Sequence, residues 1–508
     1  MILLLALAAA ATNCVDLAKL ALPNTTIDKA EAVSSGEAQG QRNLPPFCRV
    51  AGSIRPTPDS DIRFEVWMPA SGWNGKFQGV GNGGYAGSIG YGGLGGAIKQ
   101  SYAAASTDTG HTSRPGIDAS WALGHPEKIV DFGHRAIHET AVKGKAIVTA
   151  FYGSAPKRCY FNSCSNGGRQ ALMEAQRYPQ DYDGIVSGAP ANDFTQLASS
   201  FMWDMKAILT EAGDYLPLAK LAAVQTAALA ACDNADKVTD GVIEQPSACR
   251  PNLDALRCQG PESDACLTVP QLAALKKIYS GPVDSQGRRR FPGFSPGGEA
   301  DQGGWGPWIV GKEREQSAQF GFGTQMFKNM VYNDPNWDFH GFDVDRDMKA
   351  AKTKLGPILD ATDPDLRPFL KHGGKLILYH GWCDAAIPAE NTVDYYRGVE
   401  KKIGAKAARA GVRLFMAPGV QHCGGGAGPN VFGQAGPTGG DASADVDAAL
   451  ERWVEQGVAP EQIIAARRSG GKVERTRPLC AYPAVARWKG TGSTDEAGNF
   501  ECAAVSRR

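Results

Sequence analysis

The chain has 508 residues, more than one minimal hydrophobic core requires, which predicts two domains or one domain with a large insertion. It carries 53 basic and 53 acidic residues, a formal net charge of +0, and so offers no electrostatic basis for binding nucleic acid or an anionic membrane. A small-molecule substrate is the partner that fits, and the sequence leaves the oligomeric state open.

The cysteines and the N-terminus both indicate export. Twelve cysteines, several of them closely spaced, indicate a disulfide framework formed in an oxidising compartment. Ile2 to Ala11 is apolar and ends in small residues, as a signal peptide over residues 1–12 would. It lacks the basic residues that open such a signal, so a truncated or misassigned start and a buried helix remain alternatives. No later apolar run approaches the ~20 residues that span a bilayer. The sequence predicts a secreted protein, extracellular or periplasmic, without a membrane span.

The next part of the chain alternates strands and helices, with a glycine-dense segment from Gly81 to Gly87. Alternation with tight glycine turns predicts an α/β fold with a mostly parallel sheet covered on both faces. The predicted elements are strands at 63–68, 76–80, 158–163 and 183–188, and helices at 128–152 and 168–177.

The strand pattern stops between about Ala191 and Leu366, where close cysteine pairs, an acidic loop and many aromatic residues replace it. We interpret this segment as an inserted lid domain, because strands resume at 374–380 and 412–417. The predicted division is an α/β domain built from residues 13–194 and 366–508, with the lid over residues 195–365.

Ser165 lies at a predicted strand-to-helix turn, in Cys164-Ser165-Asn166-Gly167-Gly168. A sharp turn of this kind exposes the serine hydroxyl and directs the helix N-terminus at a developing oxyanion. Ser163 stands where the G-x-S-x-G motif has its first glycine, so the motif is imperfect. An ordinary strand-helix junction is the alternative.

A serine nucleophile needs a histidine base and an acid that orients the histidine. His422 follows a predicted strand and precedes Cys423, so a bridge from Cys423 to Cys164 would hold the serine and the histidine together. Asp384 follows another strand, although it could instead cap a helix. The order Ser165, Asp384, His422 is the order found in α/β-hydrolases, which predicts that fold with a large lid.

The oxyanion hole requires two backbone N–H donors, expected from Asn166 and from the glycine loop around Gly84. Gly79 to Gly84 also spells G-x-G-x-x-G after a strand, which is the pattern of a dinucleotide site. We reject a dinucleotide site because residues 85–96 are too rich in glycine to form the helix on which a pyrophosphate rests.

His134 and His138 stand four residues apart on a predicted helix, as two metal ligands would. Arg135 occupies the position of the glutamate in an H-E-x-x-H motif, so we expect structural roles for both histidines.

Taken together, these motifs resemble those of the tannase and feruloyl esterase family, which also contains the enzyme that cleaves mono(2-hydroxyethyl) terephthalate. The resemblance covers nearly the whole chain. It implies a secreted α/β-hydrolase with a large lid, a Ser-His-Asp triad, a disulfide beside the triad and a structural calcium ion in the lid. The motifs that carry it are Cys164-Ser165-x-Gly-Gly-Arg169-Gln170, His422-Cys423, Ser106-Thr107-Asp108-Thr109-Gly110-His111, Asp131-Phe132-Gly133 with Arg135, and His380-Gly381-Trp382-x-Asp384.

By this resemblance, the calcium ion binds the acidic loop that follows Cys232. The side chains of Asp233, Asp236 and Asp240 and the main-chain carbonyls of Val238 and Val242 are the expected ligands. Three closely spaced carboxylates and a glycine also suit a hard cation on chemical grounds. The loop differs from an EF-hand in length and lacks its final glutamate, and without the resemblance a solvated acidic loop explains it equally well.

With the resemblance, ten of the cysteines are expected to form bridges, and Cys159 and Cys383 are expected to remain free thiols. Roughly five strand residues separate the levels of these two cysteines by about 16 Å, beyond the Cα limit of about 7 Å for a bridge. The expected bridges are Cys14–Cys48, Cys164–Cys423, Cys232–Cys249, Cys258–Cys266 and Cys480–Cys502.

The lid is expected to supply an aromatic slot for the acyl ring of the substrate, with Trp305, Phe327 and the nearby His380 as lining residues. More than half of the lid aromatics are expected to be lid core instead. No lid arginine stands out as a partner for a substrate carboxylate, which favours hydroxycinnamate or gallate esters over terephthalate monoesters. The aromatics considered are Trp305, Trp308, Phe320, Phe322, Phe327, Tyr332, Trp337 and Phe339.

The predicted function is therefore that of a secreted serine carboxylic-ester hydrolase acting on feruloyl or gallate esters through an acyl-enzyme. The alternatives are a mono(2-hydroxyethyl) terephthalate-type hydrolase, a serine peptidase of the same fold, and a non-catalytic binding protein stabilised by calcium. The sequence does not identify the acyl group or the alcohol.

Overall fold

The computed structural model describes residues 11–113, 116–211, 213–434, 436 and 440–504. The apolar stretch assigned to a signal peptide lies outside the described residues, apart from its last residues. Among the helices of the described ranges, none has both the length and the apolar character needed to cross a bilayer.

Nine strands form the central sheet, in the order β1-β4-β5-β7-β6-β8-β9-β10-β11. The strands from β6 onwards pair in parallel, and β1, β4, β5 and β7 form an antiparallel extension at one edge. The strands are β1 Thr25–Val33, β2 Gly36–Ala38, β3 Gln41–Leu44, β4 Phe47–Ile54, β5 Ile62–Pro69, β6 Lys76–Val80, β7 Ala103–Thr107, β8 Arg158–Cys164, β9 Gly184–Gly188, β10 Lys375–Gly381, β11 Val412–Ala417, β12 Gln462–Ser469, β13 Lys472–Cys480, β14 Ala484–Trp488 and β15 Phe500–Ala504.

Helices cover both faces of the sheet, as the sequence predicts. Along β10, Leu376 and Leu378 pack into the core beneath α3, α4 and α11, whereas Ile377 and Tyr379 pack into the core beneath α1 and α13. The helices are α1 Tyr91–Lys99, α2 Pro126–Val130, α3 Ala136–Tyr152, α4 Asn166–Arg177, α5 Phe194–Leu209, α6 Leu221–Cys232, α7 Val269–Ser280, α8 Ala318–Gln325, α9 Val344–Leu359, α10 Arg367–Lys371, α11 Glu390–Ile403, α12 Ala405–Gly411 and α13 Val446–Gln456.

The segment between β9 and β10 contributes helices and no strand within its described residues. Its apolar side chains form a core of their own, which continues into Tyr85, Phe132 and Ala385 beside the sheet. The predicted lid boundary at residues 194–195 falls in the first turn of α5, and the boundary at 365–366 falls between α9 and α10. The division into domains remains a prediction.

One local expectation needs correction. The helix α1, Tyr91–Lys99, forms in the glycine-rich segment that we considered unable to form a helix. Its glycines allow close packing, because a Cβ at Gly93 would lie 2.5 Å from Cγ1 of Val80. The predicted strands around 63–68 and 76–80 do form, but β7 lies between them, since Ala104 pairs with both Trp67 and Gln78.

Candidate active site

Ser165 occupies a strained turn between β8 and α4. Its backbone has φ 68° and ψ −128°, a conformation that L-residues rarely adopt and that costs of the order of 1–3 kcal/mol. The turn is held by its own backbone bonds, because the Ser165 N–H donates to Gly188 O at 2.9 Å and the Ala191 N–H donates to Ser165 O at 3.1 Å. The turn therefore presents the serine hydroxyl above the end of the sheet.

The two positions that follow Asn166 in this turn have no room for a side chain. A Cβ at Gly167 would lie 1.9 Å from Oγ of Ser163, and a Cβ at Gly168 would lie 2.3 Å from the carbonyl oxygen of Gly188. Ser163, which breaks the G-x-S-x-G pattern, is thus the side chain that packs against this turn.

His422 lies within hydrogen-bond reach of the serine. Its Nε2 is 2.9 Å from Oγ of Ser165, and its Nδ1 is 2.8 Å from Oδ2 of Asp384. The neighbouring cysteines, Cys164 and Cys423, form a disulfide with a Cα separation of 5.9 Å. This disulfide anchors two segments 259 residues apart, one ending in the serine and one beginning with the histidine.

Asp384 is 2 % exposed and has all its oxygens bonded. Oδ1 accepts from the N–H groups of Ala386 and Ile387, both at 2.8 Å, and Oδ2 faces His422 and His380. Burial opposes the charge, but the two histidines hold the pKa of Asp384 well below its usual range. The aspartate is therefore a carboxylate that can orient the His422 ring and stabilise its protonated form.

Asn166 and Gly84 line one cavity with Ser165 and His422. Asn166 is the first residue of α4, so its N–H has no carbonyl partner within the helix. Gly84 has φ +57°, and a Cβ there would lie 2.4 Å from the carbonyl oxygen of Gly116. Both positions suit the donors of an oxyanion hole, although their role in catalysis stays a prediction.

A buried polar network, which the sequence did not lead us to expect, ties the glycine loop to α4. The N–H of Asn82 donates to Oε1 of Gln170 at 2.9 Å, and Nε2 of Gln170 donates back to Oδ1 of Asn82 at 3.1 Å. Arg169, fully buried, donates to Oδ1 of Asn166 at 2.8 Å and to three main-chain carbonyls. Burial lowers the pKa of Arg169 to about 9, which leaves a positive charge behind the first turn of α4 at neutral pH.

The cavity beside the serine is mostly apolar. Trp308 borders it with its ring centroid 5.1 Å from that of His422, in an edge-to-face arrangement. The described residues that line it are Gly84, Tyr85, Ser165, Asn166, Ala191, Phe194, Leu197, Ala198, Phe201, Trp308, Phe322, Ala386, Ile387 and His422.

The structure does not place three of the predicted pocket residues in the lining of this cavity. Trp305 packs against Tyr279 in the lid core, and Phe327 stacks on Trp337 at 4.9 Å, also in the lid core. His380 is fully buried and is not among the residues that line the cavity, although its Nε2 lies 3.1 Å from the carbonyl oxygen of Ile387, which does line it. A sequence pattern identifies these rings as apolar or buried but does not say which way they face.

The cysteine predictions are confirmed. All five expected bridges form, including Cys14–Cys48, Cys232–Cys249, Cys258–Cys266 and Cys480–Cys502. Cys159 and Cys383 are free, and burial raises the pKa of both thiols, that of Cys159 to about 12. Neither thiol has the depressed pKa of a reactive cysteine.

The predicted calcium loop is compact and rich in carboxylates. Asp236 Oδ1 accepts from the Val238 N–H at 3.0 Å, and Asp240 Oδ1 accepts from the Val242 N–H at 3.2 Å. The oxygens of Asp233 accept from loop N–H groups, and Asp240 also pairs with two arginines. These bonds fold the carboxylates of Asp233, Asp236 and Asp240 back onto their own loop.

Asp236, Asp240 and Val242 line a small cavity together with the buried Glu244, whereas Asp233 and Val238 lie outside its lining. Carboxylate and carbonyl oxygens are the donors that Ca²⁺ takes, and the guanidinium of Arg477, which pairs with Asp240, lines the same cavity. Glu244 lies two residues beyond the expected ligands and was missed because its direction depends on the fold.

The two helical histidines have separate hydrogen-bond partners, and their structural roles remain a prediction. Nδ1 of His134 is 2.8 Å from the hydroxyl of Tyr178, and Nδ1 of His138 is 2.6 Å from Oδ2 of Asp181. They do not form a metal pair with each other.

The segment between β9 and β10 is hydrogen-bonded to Gln421, the residue before the candidate base His422. Gln421, 1 % exposed, donates from Nε2 to the carbonyl oxygen of Gly298 at 2.7 Å. A Cβ at Gly298 would lie 2.5 Å from Cβ of Cys383, so the lid backbone packs tightly beside Asp384 as well.

Comparisons with known proteins point to one family. The model of the family described as tannase and feruloyl esterase matches residues 48–503. An uncharacterized esterase of Xanthomonas campestris is 42% identical, over 98% of this chain and 92% of its own length. A probable feruloyl esterase B-2 of Aspergillus terreus is 33% identical, over 94% of this chain and 90% of its own length.

Solved structures confirm the α/β-hydrolase fold. Feruloyl esterase B from Aspergillus oryzae superposes with a TM-score of 0.88 at 29% identity, covering 96% of this chain and 98% of that chain. Tannin acyl hydrolase from Aspergillus niger gives a TM-score of 0.78 at 25% identity, covering 96% and 95%. This chain belongs to the tannase and feruloyl esterase family and is a carboxylic ester hydrolase.

Proposed function

We propose that the protein is a serine esterase that cleaves esters of aromatic carboxylic acids through an acyl-enzyme. The observation that carries the proposal is the continuous hydrogen-bonded series from Ser165 Oγ through His422 to Asp384, at 2.9 and 2.8 Å. It opens directly into a cavity lined by aromatic and aliphatic side chains.

In the proposed reaction, His422 Nε2 takes the proton of Ser165 as Oγ attacks the ester carbonyl. Asp384 keeps the ring oriented and stabilises its charged form. The N–H groups of Asn166 and of the Gly84 region receive the oxyanion, with the Arg169 charge behind them favouring negative charge at that place. His422 then returns the proton to the leaving alcohol, and water releases the acid by the reverse path.

The cavity supports an aromatic acyl group with few hydroxyls. Phe194, Phe201 and Phe322 offer ring contacts, and the Tyr85 hydroxyl is already committed to the carbonyl oxygen of Phe322 at 2.7 Å. A buried substrate hydroxyl without a partner loses about 1–3 kcal/mol, so each additional ring hydroxyl is unfavourable here. We therefore favour hydroxycinnamate esters over gallate esters. We also favour them over terephthalate monoesters, because no lysine or arginine is among the described residues that line the cavity.

Two experiments test the proposal. A fluorophosphonate probe should label wild-type protein at Ser165 and leave a folded Ser165→Ala variant unlabelled. In steady-state assays, methyl ferulate and methyl cinnamate should exceed methyl gallate and mono(2-hydroxyethyl) terephthalate in kcat/KM by about tenfold or more.

Labelling at another residue, or none, contradicts the serine mechanism. A preference for methyl gallate contradicts the acyl assignment, and hydrolysis of a ferulate anilide as fast as the ester would favour a peptidase.

We propose a structural calcium ion in the loop of Asp236, Asp240 and Val242, with Glu244 beside it. Bound calcium would neutralise these clustered carboxylates and brace the loop closed by Cys232 and Cys249. Chelation with EGTA should lower Tm, and added Ca²⁺ should restore it. In an Asp236→Asn variant, the change in Tm on adding EGTA or Ca²⁺ should be smaller. A protein without calcium by elemental analysis, and with a Tm unmoved by EGTA, would exclude the site.

We also propose that the protein functions outside the cytosol. Five disulfides within the described residues suit an oxidising compartment. Expression with and without export, followed by thiol counting, tests this: the cytosolic product should contain reduced cysteines and little activity.

A further inference from the structure

His380 is a second histidine on the candidate catalytic aspartate. It lies near the end of β10, four residues before Asp384, and is fully buried. It is absent from the lining of the substrate cavity, so contact with the substrate does not explain a polar ring at this depth. A buried imidazole must instead satisfy both of its nitrogens within the protein.

Both nitrogens have partners. Nε2 lies 3.1 Å from Oδ2 of Asp384 and 3.1 Å from the carbonyl oxygen of Ile387. Both of these oxygens accept hydrogen bonds, so Nε2 carries the hydrogen. Nδ1 lies 2.7 Å from Oγ1 of Thr392, and this hydroxyl can donate to it. The surroundings therefore favour a ring that donates from Nε2.

Asp384 Oδ2 thus accepts hydrogen bonds from two imidazoles, that of His422 at 2.8 Å and that of His380 at 3.1 Å. Oδ1 is fixed separately by two main-chain N–H groups. A carboxylate oxygen that accepts a second hydrogen bond has its negative charge spread over more donors, and each donor receives less of it. The bond from His380 therefore moderates the pull of Asp384 on the base.

We propose that His380 is a positioning residue of the esterase: it fixes the Asp384 carboxylate and sets the basicity of His422. This inference rests on the proposed serine mechanism and adds a fourth member to it. Thr392, by donating to Nδ1, selects the tautomer of His380 that can perform this role.

Other titratable groups lie around the Asp384 carboxylate, and the variants used in the test leave them unchanged. Cys383 and Tyr379 flank it on its own element, and burial raises the pKa of both. From the lid, Glu299 and Asp301 act electrostatically on Cys383, and from α13 Asp447 acts on Tyr379. Because the variants below alter none of these, a changed pH profile reports the bond to Asp384.

The test compares His380→Leu, which removes the donor, with His380→Gln, whose amide nitrogen can reach the position of Nε2. In His380→Leu, we expect kcat to fall about 10- to 100-fold with KM within about twofold. The midpoint of the acidic limb of kcat/KM should move to higher pH by about half a unit or more, because Asp384 then holds protonated His422 more strongly. His380→Gln should retain the wild-type midpoint and most of kcat. Thr392→Val should shift the midpoint in the same direction by less.

An unchanged kcat and pH profile in His380→Leu would overturn the proposal. Equal loss in the Leu and Gln variants with an unmoved midpoint would also overturn it, since His380 would then only fill space. If His380→Leu does not fold, an unmoved midpoint in Thr392→Val decides against the proposal. Fluorophosphonate labelling of Ser165 in wild-type protein separates the two questions, because its failure removes the serine mechanism itself.

Discussion

At the scale of single residues, three positions far apart in the chain meet because each ends a strand of the sheet or follows one. Ser165, Asp384 and His422 could be proposed from sequence because their local contexts and their order along the chain are characteristic. The direction of a side chain is less accessible. His380 alternates with Tyr379 on β10, and only the fold shows that its ring turns to Asp384 rather than to the cavity.

The bonds around Asp384 predict the effect of replacing it with asparagine. An amide places its NH₂ either against the N–H groups of Ala386 and Ile387 or against the rings of His422 and His380. The first orientation sets the NH₂ against two main-chain donors, so the second is favoured, and in it the NH₂ donates to Nδ1 of His422 and selects the wrong tautomer. Asp384→Asn should therefore lower kcat by roughly 10³- to 10⁴-fold in steady-state assays, with the circular dichroism spectrum retained. A loss below tenfold would argue against the assigned acid.

At the scale of elements, packing rather than propensity explains the helix that we did not expect. The helix α1 contains four glycines, yet Leu94, Ala97 and Ile98 bury themselves against the sheet. Tertiary contacts of this kind outweigh an intrinsic preference of about 1 kcal/mol per glycine. The long, regular elements such as α3 and β10 were predictable because their periodic patterns are strong.

Two glycines of α1 give a matched pair. Gly96 has open space where a Cβ would go, so Gly96→Ala should raise the free energy of unfolding by about 0.5–1 kcal/mol. A Cβ at Gly93 would lie 2.5 Å from Cγ1 of Val80. Gly93→Ala should therefore be neutral or destabilising, despite the same gain in helix propensity. Urea unfolding of both variants checks this, and equal stabilisation would contradict the packing described for α1.

The contact between α13 and β8 predicts a pH dependence. Asp447 is buried, and desolvation together with Asp445 raises its pKa to about 8, against a hydrogen bond from Asn162. Its folded pKa lies above its unfolded value, so it stabilises the fold least when ionised, and its contribution falls as pH rises from about 4 through about 8. Asp447→Asn should therefore raise Tm at pH 9 relative to wild type and change it little at pH 4. A smaller gain at pH 9 than at pH 4 would refute this.

At the scale of the whole molecule, the disulfides join parts of the fold that the chain order separates. The sequence indicated where the strands of the sheet are interrupted, because the strand pattern stops between β9 and β10. It did not show that β7 lies between β5 and β6, since the pairing of distant strands is not a local property.

Removing the Cys164–Cys423 bridge should therefore affect the molecule as a whole. Its span of 259 residues predicts a loss of about 5 kcal/mol in the chain-entropy model, against about 2–3 kcal/mol for Cys258–Cys266, which spans 8. The double alanine variant of the long bridge should also lose activity, whereas that of the short bridge should keep it. Denaturant unfolding and esterase assays of both variants measure the contrast. Full activity without the long bridge would show that the sheet alone aligns Ser165 and His422.

The bond from Gln421 to Gly298 has a consequence for how substrate enters. A rigid outward swing of the inserted helices would break this buried bond and pull on the loop that carries the imidazole. We therefore expect a wide opening of the inserted helices to disturb the alignment of His422. We expect substrate to enter instead through small rotations of aromatic side chains that line the cavity, Trp308 among them, while the backbone keeps its position.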